Sequence, residues 1–242
     1  METDRTRLSE WLEGPLGGAL LAHERAAMAE ALECVFGVQC LQVGAWGSAG
    51  LFLGEARTQR RVLLGAHDAL AAGVRSCPSQ LPIRSDSIDA LLLPHTLEFE
   101  DHPHEMLREA YRVLVAEGRL VILGFEPLGG WALRNRLSSG RFPPGLNRLL
   151  SERRLADWLQ LLGFEVGPAR RFLYTLPIAR LQTGRGSASL ERLGRALWPR
   201  LSGAYLLMAI KHVRALTPMR LQFRRAPAVL GGLAEPTRRV GT

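Results

Sequence analysis

The run from Asp86 to Phe125 constrains this chain more than any other part of it. Asp86-Ser87-Ile88-Asp89-Ala90-Leu91-Leu92-Leu93-Pro94-His95 is long and apolar enough for a strand buried on both faces. Met106, Leu107, Ala110, Val113 and Leu114 recur at helical spacing and predict a helix over 103–115, with Pro103 at a permitted early position. Glu117-Gly118 supplies a turn, and Leu120 to Phe125 reads as a second buried strand. Strand, helix, turn and strand in this order are the pattern of a parallel α/β sheet.

The alternation extends both ways. Residues 18–36 are rich in Ala, Leu, Glu and Met and predict a helix that Gly37 stops. Val38 to Val43 is a first strand and Arg61 to Leu64 a second. Gly129-Gly130, Gly140 and Pro143-Pro144 make 126–149 irregular. Ser151 is a good N-cap for a helix over 152–162, Gly163 ends that helix, and Phe164-Glu165-Val166 opens another strand. A helix near 189–198 leads to a last strand, Tyr205 to Val213. The expected organisation is an N-terminal helical extension over 1–36, an α/β domain over 37–214 and a basic, disordered tail over 215–242.

At 242 residues and 47% hydrophobic content, the chain can bury a full core as one domain with extensions. No apolar run reaches membrane-spanning length, and the acidic start does not read as a secretory leader. Cys34, Cys40 and Cys77 are an odd set without paired metal spacing, which suits a reducing cytoplasm. The net charge of +8 conceals a split, since residues 1–133 carry −7 and residues 134–242 carry +15. A basic half of this kind can attract nucleic acid. The competing account is a general arginine bias on solvated surface, because Lys211 is the one lysine in the sequence.

Residues 81–125 resemble the methyltransferase type 11 group of class I S-adenosylmethionine-dependent methyltransferases. The likeness is carried by Leu81-Pro82-Ile83, Asp86-Ser87-Ile88-Asp89, His95-Thr96-Leu97-Glu98, Leu107-Arg108-Glu109, Arg112-Val113-Leu114 and Glu117-Gly118-Arg119. Ser151 to Val166 and Tyr205 to Lys211 are similar to that family's next helix-strand unit and closing strand. The resemblance implies a Rossmann-like open, mostly parallel seven-stranded sheet with helices on both faces and an antiparallel last strand. It also implies S-adenosylmethionine as cofactor and a methyl acceptor, a small molecule rather than a macromolecule.

By the same resemblance, cofactor-binding positions fall on Gln42, Gly44, Trp46, Gly47, Gly65, Cys77 and Pro94. Several depart from the family pattern. Gln42 stands for the acid of strand one, Trp46 for a glycine of the turn, Gly65 for the ribose-binding acid and Cys77 for the adenine-binding acid. A hydrogen bond to a charged group is worth about 1.5–3 kcal/mol, so two or three such losses would weaken binding severely. His67 and Asp68 stand just past Gly65, where Asp68 is a substitute acid. His95, at the end of the Asp86–His95 strand, is the candidate catalytic base, since an imidazole titrates near working pH. His95, Glu98, Asp101, His102, His104 and Glu105 form a dense run of polar ligands whose spacing matches no structural zinc pattern. Trp131, Arg134, Asn135, Arg136 and Arg141 are candidates for an acceptor site. Two functions therefore stand side by side: a working methyltransferase, and an inactive methyltransferase-fold binding or scaffolding protein, RNA-associated through its basic half.

Overall fold

The computed structural model describes residues 2–48, 50–66, 74–137, 143–174 and 202–213. The strands are β1 (Gln39–Val43), β2 (Arg60–Ala66), β3 (Val74–Ser76), β4 (Ile88–Pro94), β5 (Leu114–Phe125), β6 (Phe164–Val166), β7 (Arg170–Phe172) and β8 (Ala204–Lys211). The helices are α1 (Glu2–Glu13), α2 (Pro15–Leu32), α3 (Thr96–Phe99), α4 (Pro103–Val113), α5 (Gly130–Leu137) and α6 (Glu152–Leu161). Seven strands cross the sheet in the order β3-β2-β1-β4-β5-β8-β6, and β7 pairs with β8 as well. β3, β2, β1, β4 and β5 are mutually parallel, and β8 runs antiparallel to β5. The expected α/β sheet with an antiparallel last strand is therefore present.

Strand alternation divides the core in two. Ala90, Leu92, Val121, Leu123 and Phe125 face a cluster shared with Leu20, Met28 and Leu32 of α2 and Trp131 of α5. Leu91, Leu93, Leu120 and Ile122 face the opposite cluster, with Met106, Leu107 and Ala110 of α4 and Leu155 and Leu159 of α6. Two buried faces explain why β4 reads as an unbroken apolar run. The edge is built differently. β6 and β7 both run antiparallel to β8, and their registers differ by one residue across Gly167-Pro168-Ala169. They are two halves of one bulged edge strand, interrupted where Pro168 has no N–H to donate.

Several boundaries move. The helix expected over 18–36 begins at Pro15 and ends at Leu32, after a separate helix α1. Gly37 marks the entry to β1 instead: a Cβ there would lie 2.5 Å from Asp89 Cβ. Asp89 Oδ2 accepts hydrogen bonds from the amides of Val38 and Gln39 at that approach. The segment read as irregular contains α5, because Gly129-Gly130 leads into a helix rather than breaking one. Gly129 is required by closeness, since its Cβ would meet Ser202 O at 2.0 Å. The Glu117-Gly118 turn lies within β5, at a register shift between Ile88 and Ala90 of its partner strand. The helix expected near 189–198 and the tail over 215–242 lie outside the described residues.

Candidate functional site

The carboxyl ends of β1, β4 and β5 lie side by side, as a parallel sheet requires. β1 ends in Gly44, whose φ of +89° and crowding against Thr96 Oγ1, 2.8 Å from a notional Cβ, exclude a side chain. Thr96 donates its hydroxyl to Val43 O at 2.5 Å and so fastens the end of β1 to the start of α3. Gly47, with φ +71°, turns the chain beside Leu21 of α2. Gln42 is fully buried beneath this turn. Its Nε2 donates to Gly44 O at 3.0 Å, while Oε1 has no partner among the described groups.

A continuous polar chain crosses these strand ends. Trp46 Nε1 donates to Glu24 Oε2 at 2.7 Å. Glu24 Oε1 lies 2.7 Å from His95 Nε2, and His95 Nδ1 lies 2.7 Å from Glu98 Oε2. Glu98 Oε1 accepts from the amide of Phe125 at 2.8 Å. Glu24, His95, Trp46 and Glu98 are all buried. The imidazole packs against the rings of Trp46 and Phe125, with centroids at 4.3 and 4.2 Å, and those two rings also meet edge-on at 6.2 Å.

The local backbone explains why His95 reaches both carboxylates. It occupies the left-handed region (φ 55°, ψ 5°) between β4 and α3, a conformation that costs a side-chain-bearing residue about 1–3 kcal/mol. Its amide donates to Leu123 O at 3.1 Å, which holds that conformation against β5. Glu98 follows one helical turn later, at i+3.

Burial by itself would push the His95 pKa down. The negative charge and hydrogen bond of Glu24, joined by those of Glu98, outweigh it and raise the pKa to about 9. Burial raises the pKa of Glu98, against the hydrogen bond and charge of His95, which lower it. With the imidazole doubly protonated, four donors meet four carboxylate oxygens and no polar atom of the chain is left unpaired. As a base near neutral pH, His95 would first have to give up a proton that both carboxylates hold.

Gln42, Gly44, Trp46, Pro94 and His95 thus converge at two neighbouring strand ends. Gly65 is buried on β2 and registers with Arg75 of β3. Cys77 lies farther out, just after β3, exposed, with its sulfur 3.0 Å from Ser79 Oγ. His67 and Asp68 lie outside the described residues. Within the polar run 95–105 His95 and Glu98 pair, but among the described residues no group of three His, Cys, Asp or Glu side chains could hold a metal, and His104 packs against Trp158. Trp131 is buried against Phe125 and Arg134 is exposed, while Asn135, Arg136 and Arg141 are outside the described side chains.

Glu24 and the pairing role of Glu98 were not apparent from the sequence. A signal for Glu24 exists, because it lies four residues after Leu20 and four before Met28, on the stripe that α2 buries. A cavity of about 500 Å³ opens beside the turn, between α1 and α2, and is lined among the described residues by Leu12, Glu13, Leu21, Arg25, Gly47 and Ser48.

Comparison with known proteins agrees with this architecture. Residues 56–122 match the family model described as "Methyltransferase domain". The protein YafS of Escherichia coli (strain K12), itself uncharacterized, is 44% identical over 105 residues, covering 43% of this chain and 43% of its own length. This chain therefore spans less than half of that relative. A SAM-dependent methyltransferase from Archaeoglobus fulgidus superposes with a TM-score of 0.59 at 17% identity, covering 79% of this chain and 94% of its own. Geranyl diphosphate C-methyltransferase from Streptomyces coelicolor A3(2), solved with S-adenosyl-L-homocysteine, gives a TM-score of 0.53 at 17% identity, over 78% and 77% of the two chains. The chain has the fold of the S-adenosylmethionine-dependent methyltransferases, and its residues 56–122 match a methyltransferase-domain model. Among the described residues, no helix is long and apolar enough to cross a membrane.

Proposed function

We propose that this protein is an S-adenosylmethionine-dependent methyltransferase acting on a small-molecule acceptor. The observation that carries the reading is the methyltransferase-domain match over residues 56–122, lying on a sheet whose strand ends bring Gln42, Gly44, Pro94 and His95 together. The described residues fit the amino-acid end of the cofactor. Gly44 and Gly47 hold the left-handed backbone that shapes the turn, with Thr96 and Leu21 packed against them. Gln42 Oε1, a buried acceptor with no partner among the described groups, is matched to an ammonium donor. Gly65, Cys77 and Pro94 are the remaining proposed contacts, with Trp46 beside them.

Once bound, the cofactor supplies a methyl group on an electrophilic sulfonium. The chain's own residues supply the surroundings. Trp46, His95 and Phe125 pack as a buried ring cluster at the strand ends. Glu24 and Glu98 hold the His95 ring in one orientation and keep its proton on it near neutral pH. His95 then acts as a proton acceptor only after the network rearranges. The cavity between α1 and α2 has the size of a small-molecule site and supports an acceptor of that class.

A second reading, a methyltransferase-fold binding protein without catalysis, is favoured by one observation. The Trp46 indole is buried and hydrogen-bonded where the family keeps a glycine. A fold by itself does not carry a function. Calorimetric titration with S-adenosylmethionine and its demethylated product decides between the two. Measurable binding supports the first reading, whereas no heat and no thermal shift at millimolar ligand removes it. The RNA association would rest on the basic half, residues 134–242, and predicts binding that weakens steeply with salt.

A further inference from the structure

We propose that Trp46 is a gate over the ligand end of the sheet and that the Glu24–His95–Glu98 chain is the latch that keeps it shut. The inference rests on the cofactor reading only for the identity of the ligand admitted. Its structural basis is separate.

Trp46 is held by one hydrogen bond and by ring contacts to His95, Phe99 and Phe125. Its indole N–H donates to Glu24, which belongs to a helix 22 residues earlier in the chain, and its ring lies on the His95 imidazole. Neither contact belongs to the turn itself. The turn has the means to move: Gly44 and Gly47 flank Trp46 with φ of +89° and +71°, and Gly50 follows with +72°. Glycine tolerates large changes of φ and ψ without steric cost, which is what a hinge requires.

The latch is also electrically poised. Two carboxyl groups face one imidazole at 2.7 Å each, with side chains 0–2% exposed. Such a cluster is stable only while every oxygen keeps its donor, and the Trp46 indole is one of the four. Among the described residues, the ion pairs Arg25–Glu55 and Glu30–Arg170 of α2 are at least partly exposed and do not substitute for it. Gln42, tied to Gly44 O beneath the turn, keeps its unpartnered Oε1 buried while the gate is shut. In the shut state Trp46, Glu24, His95 and Glu98 satisfy one another while Gln42 Oε1 has no partner among the described groups, so the latch must open before a ligand reaches that acceptor.

The test uses the full chain and two substitutions, Glu24→Gln and Trp46→Phe, with hydrogen exchange read by mass spectrometry over residues 44–53. The gate predicts exchange roughly tenfold faster there in both variants, with β4 and β5 unchanged. Trp46→Phe keeps an aromatic ring on His95 and removes only the donor, so it remains informative if Glu24→Gln fails to fold. Unchanged exchange at 44–53, or an equal rise throughout the sheet, overturns the gate and leaves the cluster as fixed packing. Binding of S-adenosyl-L-homocysteine is measured alongside, and the gate predicts about tenfold tighter binding in Trp46→Phe. Equal affinity in wild type and variant removes the gate while keeping the cofactor reading. Faster exchange without any binding keeps the gate and removes the cofactor reading.

Discussion

Two polar networks in this molecule use the same kinds of side chain to opposite effect. At the N-terminal side of the sheet, Arg112 pairs with Glu109 one turn earlier on α4 and donates to Leu81 O and Ile83 O. Glu109 in turn accepts from the amide of Leu81 at 2.9 Å, so the pair clips the 81–85 loop to the helix. The pair is solvated, with side chains 36% and 19% exposed. At the other end, Glu24, His95 and Glu98 are 0–2% exposed and join α2, β4 and α3. In water the first network is a local clip whose loss solvent compensates. In the core, the second must be complete, because a buried charge without its partner has nothing to replace it.

The largest expected effect follows directly. Glu24→Ala removes one partner from the buried chain and leaves the Trp46 and His95 donors unsatisfied. It should destabilise the protein by about 3–5 kcal/mol in urea denaturation. A loss under about 1 kcal/mol would collapse the distinction between the two networks.

The pH dependence separates them by sign. The folded pKa of His95, about 9, lies above its ordinary 6.5, so its contribution is complete below pH 6.5 and is lost as pH rises through 9. The upward shift of Glu98 acts in the same direction. Glu109 is the reverse: the hydrogen bond from Arg112 holds its pKa down, so its contribution is present above the ordinary carboxylate range and is lost in acid. Stability measured from pH 6 to 10 should fall by on the order of 3 kcal/mol in wild type. In His95→Asn, that alkaline fall should largely disappear. An unchanged alkaline fall in the variant would assign it to other groups.

The smallest effect belongs to the solvated clip. Arg112→Ala should cost about 1 kcal/mol, with protection lost mainly at 81–87 in hydrogen exchange. A cost equal to that of Glu24→Ala would show that burial does not set the difference.

The elements that were legible beforehand share one property: their signals are local. β4 reads as a run of apolar residues, α4 as a periodic stripe, and Ser151 as an N-cap whose hydroxyl does accept from the amide of Arg154. β3 and β7 are only three residues long and carry no pattern of their own. They exist because β2 and β8 offer unpaired edges. α5 was hidden by Gly129-Gly130, although Gly129 serves close approach to Ser202 rather than a break. At the site, Gln42, Gly44, Trp46 and His95 could be located by resemblance, but their bonds could not. The partner of Trp46 lies 22 residues away and that of His95 lies 71 residues away.

The sequence by itself carried the alternation of the longer strands and helices, since periodicity and turn chemistry act between near neighbours, and its resemblance to the methyltransferases implied the sheet they form. Tertiary structure alone decided that a glutamate on a helix outside the sheet would meet a histidine at the end of β4. Only folding removes both from water, and that removal ties three ordinary side chains into one buried hydrogen-bonded unit.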